Sequence, residues 1–475
     1  MSKIYVFAIG GTGSRVLRSL TMLLAAGVEC AADTIIPIII DPDSSGGNVS
    51  QTEVLMKNYG RIREKIKSSF ADNENKFFRT EIRNIMNNFH LNLQNTEDCR
   101  FDQYINLANM SRSDQAMARM LFSNKNLNAD MKVGFKGNPH IGSVVLNQFE
   151  KSDDFREFAN EFQPGDKIFI ISSIFGGTGA SGFPLLVKIL RTTTTLANHA
   201  VVNESHIGAI TVLPYFNVKQ DETSQIDSGT FISKTKSALA YYNRTMEGEG
   251  ACAVDNMYYI SDTLPTTYDN NEGGVEQKNW AHFVELASAL AIIDFANQNK
   301  SNETIYKEFA IENDVPTITF GALGLQTRNL LQKPLVQFYL MSKFLFECDD
   351  YVRQPWAKDR HLDTTFFTGS FMSMLRENII KEFYQWLKEL REQARSFSPF
   401  YLDNKDPNRV FDIINGYVLE KKLFQAKNFT YFNNCLNSID FKRISADISG
   451  GEEQKFFDLF YKATQRISKE KFNIQ

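Results

Sequence analysis

The chain alternates short apolar runs with longer segments that carry a helical repeat. Ile4–Ile9, Ile35–Ile40, Ile168–Ile171, Ile207–Leu213 and Met257–Ile260 are nearly continuous apolar runs, bounded by Gly, Pro, Ser or Asp. Such runs predict strands buried on both faces. Between them apolar residues return every three or four positions: Val16, Leu17, Leu20, Leu23 and Leu24 after the first run, and Leu185, Leu186, Ile189 and Leu190 after the third. The opening β–loop–α–β order and its repetition predict an α/β fold with a parallel sheet. Pro37 lacks a donor, so it predicts either an edge position or a paired part that starts later.

Residues 52 to 130 break this rhythm. They are polar and rich in Asn, Lys and Arg, with apolar positions at helical spacing (Ile62, Ile66, Phe70; Ile82, Ile85, Met86, Phe89), and are expected to form a helical insertion in a first domain spanning 1–270. Ser233 to Arg244 has a helical pattern. Gln277 to Asn297 is apolar nearly all round, so a long central helix within 271–299 is expected to be buried between lobes. Pro316 to Phe320 could add a strand. Leu335–Phe346, Phe371–Arg395, Val410–Leu423 and Glu453–Ile467 are read as helices of a mostly helical domain over 300–475. No internal repeat or low-complexity tract interrupts the chain.

Composition narrows the class. The 475 residues are 43% hydrophobic and 23% charged, ordinary for a soluble globular protein. A net charge of −4 gives no electrostatic case for nucleic acid. The cysteines Cys30, Cys99, Cys252, Cys348 and Cys435 lie far apart, which is read as reduced thiols in a cytoplasmic protein with neither a disulfide framework nor a zinc site. No apolar run reaches membrane-spanning length, so no membrane anchor is expected. The 39 phenylalanines are read as core.

Chemistry concentrates in two glycine-rich turns, Gly10-Gly11-Thr12-Gly13 and Gly176-Gly177-Thr178-Gly179, each between an apolar run and a helical pattern. That geometry presents bare backbone N–H groups at a helix N-terminus and suits phosphate. Two such turns from parallel strands can face one crevice. Neither is a P-loop, since no Gly-Lys-Ser/Thr follows, so backbone donors must carry the phosphates, with Thr12 and Thr178 adding hydroxyls. The alternatives are tight packing for the glycines and helix capping for the threonines. A NAD(P)-binding Rossmann enzyme is the less favoured reading: Gly11-x-Gly13-x-x-Val16 lacks the third glycine, and Asp41 or Asp43 lies beyond the usual ~20 residues.

These residues carry a family resemblance. Phe175-Gly176-Gly177-Thr178-Gly179-Ala180-Ser181-Gly182-Phe183-Pro184 resembles the signature loop of the tubulin/FtsZ superfamily, including the proline after it. Ala8 to Gly13 resembles the first nucleotide loop, and Asp41-Pro42-Asp43 sits where FtsZ has Asn-Thr-Asp. Gly137-Asn138-Pro139-His140-Ile141-Gly142 resembles the γ-phosphate loop. Ile210 to Phe216 and Val254 to Ile260 resemble two later strands, in the family order. Divergent bacterial tubulin-like proteins are the nearest in pattern.

The resemblance implies a Rossmann-like GTPase-type domain binding GTP or GDP with Mg²⁺. Gly10, Gly11, Thr12, Gly13 and Ser14 would lie against the inner phosphates, with Asp43 nearby. Gly176, Gly177, Thr178, Gly179, Ala180 and Ser181 would cradle the outer ones, and Gly137, Asn138 and Gly142 would sense the γ-phosphate. Asn279, Trp280 and Phe283 are base-binding candidates, with core packing the alternative for the two rings. Arg15 stands where FtsZ has an Asn that contacts guanine and could stack on a base or pair with a phosphate, and Ser181 replaces a family glycine. No clear Gly-x-x-Asn-x-Asp follows the central helix; Glu303, Glu312 and Asp314 are the possible catalytic substitutes, with solvated surface acids the alternative. The implied function is head-to-tail self-association into filaments with nucleotide at the subunit contact, with GTP hydrolysis as a possible activity. The alternative is a non-polymerising switch or scaffold whose helical lobe holds a protein partner. The resemblance covers neither 52–130 nor 330–475.

Overall fold

The computed structural model describes residues 2–43, 46–67, 75–96, 99–131, 135, 138–219, 231–246, 253–263, 266–268, 279–301, 303–308, 315–348, 352–404, 406, 409–419, 428–439 and 451–474. Each of the apolar runs lies in a strand. β1 (Lys3–Ile9), β2 (Thr34–Ile40), β3 (Glu81–Ile82), β4 (Lys167–Ser173), β5 (His206–Val212), β6 (Asn256–Ile260) and β7 (Ile305–Glu308) form one sheet in the order β3-β2-β1-β4-β5-β6-β7. Every neighbouring pair is parallel, with Ala8 opposite Ile39 on one side and Ile171 on the other. Strands covered on both faces need no polar alternation, which is why they read as solid apolar runs.

Pro37 sits in the middle of β2, opposite Val6. β3 pairs only with Thr34 and Ile35. On that outer side Ile35 accepts from Arg83 N, and Ile39 donates to Phe89 O and accepts from Leu91 N. Pro37, in register with Ile35 and Ile39, turns its missing N–H to the outer side between these contacts, so the ladder to β1 loses nothing.

Helices cover the sheet. α1 (Gly10–Ala25) lies against β1 and β4, and α2 (Gly47–Ile66) packs on it. Thr52 Oγ1 donates to Ser14 O at 3.1 Å. Within the segment expected as a helical insertion, α2 and β3 therefore belong to the sheet layers. α3 (Pro139–Leu146) and α4 (Asp153–Glu161) precede β4, and α5 (Gly177–Thr192) follows it and packs on α3. α5 contains Pro184, which cannot bond back to Ala180 O; the hydroxyl of Tyr242, on α6 (Phe231–Met246), donates to that carbonyl instead at 3.2 Å. The expected central helix is α7 (Phe283–Ala296), buried on nearly every side and packed on α1.

The C-terminal region is largely helical: α8 (Leu325–Glu347), α9 (Lys381–Arg391), α10 (Phe429–Ser438) and α11 (Glu452–Phe472). Its core is aromatic, with ring centroids 4.9 Å apart for Phe338–Phe383, 4.5 Å for Phe344–Phe432 and 4.3 Å for Tyr339–Phe400. Phe77 and Phe78, from the chain just before β3, insert against Tyr461 and Phe457 and join this core to the sheet layers. Thr317–Ile318 pairs with Ser396–Phe397 as a small parallel ladder. The helix expected over Val410–Leu423 does not form across its described part: Tyr401 N donates to Ile413 O, Asn415 N to Pro399 O, and Gly416 takes a left-handed φ of +79°. Val410, Phe411, Ile413 and Ile414 are all buried, so the segment is a core-lining extended turn rather than an amphipathic helix. Among the described residues no helix is long and apolar enough to cross a membrane.

Candidate functional site

The strand order reverses between β1 and β4: β1 connects outward to β2, and the chain returns to β4 on its other side. Ligands of open α/β sheets bind outside the carboxyl ends of the strands at such a switch point. Both glycine turns lie there. Gly10 has φ +73°, a conformation L side chains avoid, and a Cβ on it would lie 3.6 Å from Thr178 Cβ and 3.9 Å from Gly179 N. The two turns thus face each other across the crevice.

The glycines divide into two kinds. A Cβ at Gly13 would lie 2.6 Å from Ala8 C, and one at Gly179 would lie 2.5 Å from Ser173 O. These two let each helix close onto its own strand and are explained by packing. Gly11, Gly176 and Thr178 are half-buried and stay open to the crevice.

Three helices begin at this edge, and all three begin without a cap. α1 starts after Ile9, α5 after Gly176 and α3 after Asn138; none has a side-chain hydrogen bond to its first amides, and none has an acid in its first turn. α7 and α10 are capped, by a His282–Glu285 capping box and by Asn428, whereas α2, α4, α8 and α11 also begin without a side-chain cap; what distinguishes these three starts is that they lie together beside the glycine turns. Thr12 does not cap α1; its hydroxyl accepts from Arg15 Nη2 at 3.4 Å. The capping alternative for Thr12 therefore fails, and free amide donors with their positive dipole ends converge on one crevice. An anion gains on the order of 0.3–2 kcal/mol from each such end.

The third loop meets the second through Ser181. Its Oγ folds back on Gly177 O at 2.8 Å rather than facing the crevice. A side chain at 142 would collide with that Oγ, so Gly142 makes room for Ser181 and seats α3 on α5. Asn138 is half-buried at the start of α3. Gly137 lies outside the described residues.

Behind the first turn is a buried polar cluster. Arg15 is 5% exposed and Glu285 1%. Arg15 Nε donates to Glu285 Oε1, Arg15 Nη2 donates to Tyr215 OH at 2.8 Å, and Tyr215 OH donates to Glu285 Oε1 at 2.6 Å. Burial pulls the Arg15 pKa down, but Tyr215 and Glu285 outweigh it and hold the guanidinium above its ordinary range. Burial pushes the Tyr215 hydroxyl well up, with Glu285 adding to it against Arg15. Glu285 Oε2 also accepts from His282 N at 3.0 Å. One helical turn on, Arg18 pairs with Glu389 at 2.6 Å and donates to Glu382 at 2.7 Å, and Glu389 accepts from Ala281 N at 2.8 Å. The helix bearing the first turn is thereby fixed to both α7 and the C-terminal region. Sequence reasoning missed Glu285 and Tyr215, although Glu285 is one of only two charged residues in an otherwise apolar helix.

Asp41 and Asp43 end β2 beside the crevice. Asp41 Oδ1 accepts from Asp43 N at 3.0 Å. Burial pushes the Asp41 carboxyl up to about 7; the Asp43 amide opposes this and the Asp43 charge adds to it. Asp43 and Ser14 are buried.

The remaining candidates separate. Trp280 is 46% exposed and Asn279 half-buried just before α7, whereas Phe283 is buried against the Phe397 ring at 5.7 Å. Glu303 is exposed just before β7. β7 begins opposite Asn256, the first residue of β6, so Glu303 lies at the sheet edge opposite the glycine turns. Glu312 and Asp314 lie outside the described residues.

The parallel sheet, its switch point and the two facing turns define an α/β fold with a helical C-terminal region. No family model matches the chain, and no curated protein matches it in sequence. Among solved structures it is similar to CetZ from Methanosaeta thermophila strain DSM 6194, at 16% identity over 62% of this chain and 51% of that one, with a TM-score of 0.27. It is also similar to CetZ2 from Haloferax volcanii, solved as a GTPγS-bound protofilament, at 12% identity over 62% of this chain and 58% of that one, with a TM-score of 0.29. The match thus spans between half and three-fifths of the length of these two structures.

Proposed function

We propose that the chain binds a guanine nucleotide, GTP or GDP, at the switch point and self-associates head to tail in the cytoplasm. The observation that carries this is the convergence of three uncapped helix N-termini on one crevice. Amide donors of α1 would hold the inner phosphates and those of α5 the outer ones, with Thr178 adding a hydroxyl and Asn138 reading the γ-phosphate from α3. Trp280 would stack on the base, with Asn279 on its edge. Arg15 would orient Thr12 and the first turn through its contacts with Thr12, Glu285 and Tyr215 rather than meet phosphate directly.

Asp43, with Asp41 behind it, would hold a magnesium ion that supplies positive charge to offset the phosphates. Among the described residues no three His, Cys, Asp or Glu gather into a group that could hold a metal ion by themselves. The excess negative charge that helps keep Asp41 protonated is what a divalent cation would relieve.

Self-association follows from the two ends of the sheet. Stacking copies along the strand direction brings the Glu303 edge of one onto the glycine turns of the next, an arrangement that does not close and so extends into a filament. Hydrolysis would then depend on Glu303, Glu312 or Asp314 of the neighbouring copy positioning water. A non-polymerising switch or scaffold is the second reading, favoured by the Asn-Gln-Asn-Lys-Ser-Asn run at 297–302, which offers no carboxylate before Glu303.

Thermal-shift measurements with GTP, ATP and NAD test the binding step, with stabilisation by GTP expected and stabilisation by NAD alone overturning it. Pelleting and phosphate release with GTP then separate filament from switch: a nucleotide-stabilised chain that neither pellets nor releases phosphate is the switch.

A further inference from the structure

A second cavity of about 1250 Å³ lies away from the switch point, between the end of α1, the N-terminal half of α8 and the C-terminal half of α11. It lies at the opposite edge of the sheet, since α1 begins at the glycine turns and runs to Gly27 at the cavity. Its charged lining is lopsided. Glu29 pairs with Lys76 at 2.9 Å, and Glu470 with Arg466 at 2.8 Å, so both acids are already matched. Lys333, Lys462 and Lys469 also line it and make no ion pair or hydrogen bond among the described residues.

A second observation is independent of the charge. Gln337 lines the same cavity from α8, is 1% exposed, and keeps its Nε2 without a hydrogen-bond partner. A buried amide N–H left unpaired costs about 1–3 kcal/mol, which an acceptor in the cavity relieves once the Gln337 side chain turns toward it. The unmatched ammonium groups are donors only; Asn329, Gln465 and Asn473 bring acceptor oxygens to the lining, but the surplus charge is all positive. The missing occupant is therefore rich in acceptors and carries more than one negative charge.

We infer that this cavity is an anion-binding site for a small molecule bearing at least two linked phosphate groups, distinct from the nucleotide crevice. Three lysines around one volume suit a polyphosphate, because ammonium groups act as point charges and do not demand the planar geometry of a single carboxylate. The volume exceeds what one phosphate fills and leaves room for a body against Tyr461, Leu330 and Ile474.

Inorganic pyrophosphate is the probe, titrated calorimetrically into the full chain. The Lys333→Ala, Lys462→Ala, Lys469→Ala variant should lose pyrophosphate affinity about tenfold or more while keeping its thermal shift with GTP. Lys469 is exposed, so Lys469→Glu alone supplies a charge reversal that leaves the fold intact, and it should weaken pyrophosphate in the same direction. Raising the salt should weaken binding to the wild type more than to the triple variant. Wild-type affinity in both lysine variants, or no pyrophosphate binding by the wild type, would overturn the assignment. Loss of pyrophosphate binding in Thr178→Ala but not in the lysine variants would assign it to the glycine turns instead.

Discussion

Arg15 and Glu285 form a buried ion pair across the joint between α1 and α7, and Tyr215 bonds to both. Removing one member of such a pair leaves an uncompensated charge in the interior, which costs about 3–5 kcal/mol. Glu285→Ala should therefore destabilise the chain by that amount, measured by denaturant unfolding. Replacing both members with apolar residues, Arg15→Met with Glu285→Leu, should recover most of the loss. A Glu285→Ala variant as stable as the wild type would mean the arginine finds water instead.

Gly10 and Gly13 stand in one turn but should fail differently. Gly10→Ala forces a left-handed φ on an L residue, a cost of roughly 1–2 kcal/mol. Its methyl also enters the gap facing Thr178, so GTP affinity should fall as well. Gly13→Ala sets a methyl into Ala8 backbone and should lose stability chiefly, by about 1–3 kcal/mol. Thr178→Ala should do the converse: unfolding free energy within about 0.5 kcal/mol of wild type, with a clear loss of the GTP-induced thermal shift. Equal GTP shifts in Gly10→Ala, Thr178→Ala and wild type would mean the turns serve packing alone.

The parts of this molecule legible in its sequence are those set by local patterning. A strand buried on both faces must be a solid apolar run, and a turn that lets a helix fold back on its strand needs glycine, so β1, β4 and both turns could be read directly. Pairing across long separations left no local trace. Glu285 reads as an oddity until Arg15, 270 residues earlier, is brought against it. Val410 to Ile414 fits a helix on its own and becomes an extended turn only because it pairs with the chain around Pro399–Tyr401. α2 looks like an insertion because its outer face is polar, while Thr52 and Tyr59 bury the other face in the sheet layers.

Ser181 stands where the signature loop it resembles has a glycine, and its hydroxyl is committed to Gly177 O. Ser181→Gly should thus leave GTP affinity unchanged while costing roughly 0.5–1 kcal/mol for a glycine inside a helix. The reciprocal change Gly142→Ala meets both the Ser181 side chain and the Phe135 ring, and pairing it with Ser181→Gly should relieve the Ser181 part of the clash, a coupling that a double-mutant cycle reads directly. A fall in GTP affinity in Ser181→Gly with the fold retained would return the hydroxyl to the binding site.

Asp458 on α11 is 2% exposed, and burial pushes its carboxyl up to about 7 against the pull of Lys462. The folded chain therefore holds this proton up to near neutrality, whereas the unfolded chain releases it near its ordinary value of 3.8. Between those two values the folded state binds more protons, so this group's effect is to lower stability as pH rises from about 4 to 7. Asp41 acts in the same direction over the same window from the far side of the molecule. Asp458→Asn mimics the protonated form at every pH. It should match wild type at about pH 3 and exceed it by on the order of 1–3 kcal/mol at about pH 8, from denaturation midpoints at the two values. An equal difference at both pH values would mean that Asp458 is ionised in the fold and paired with Lys462.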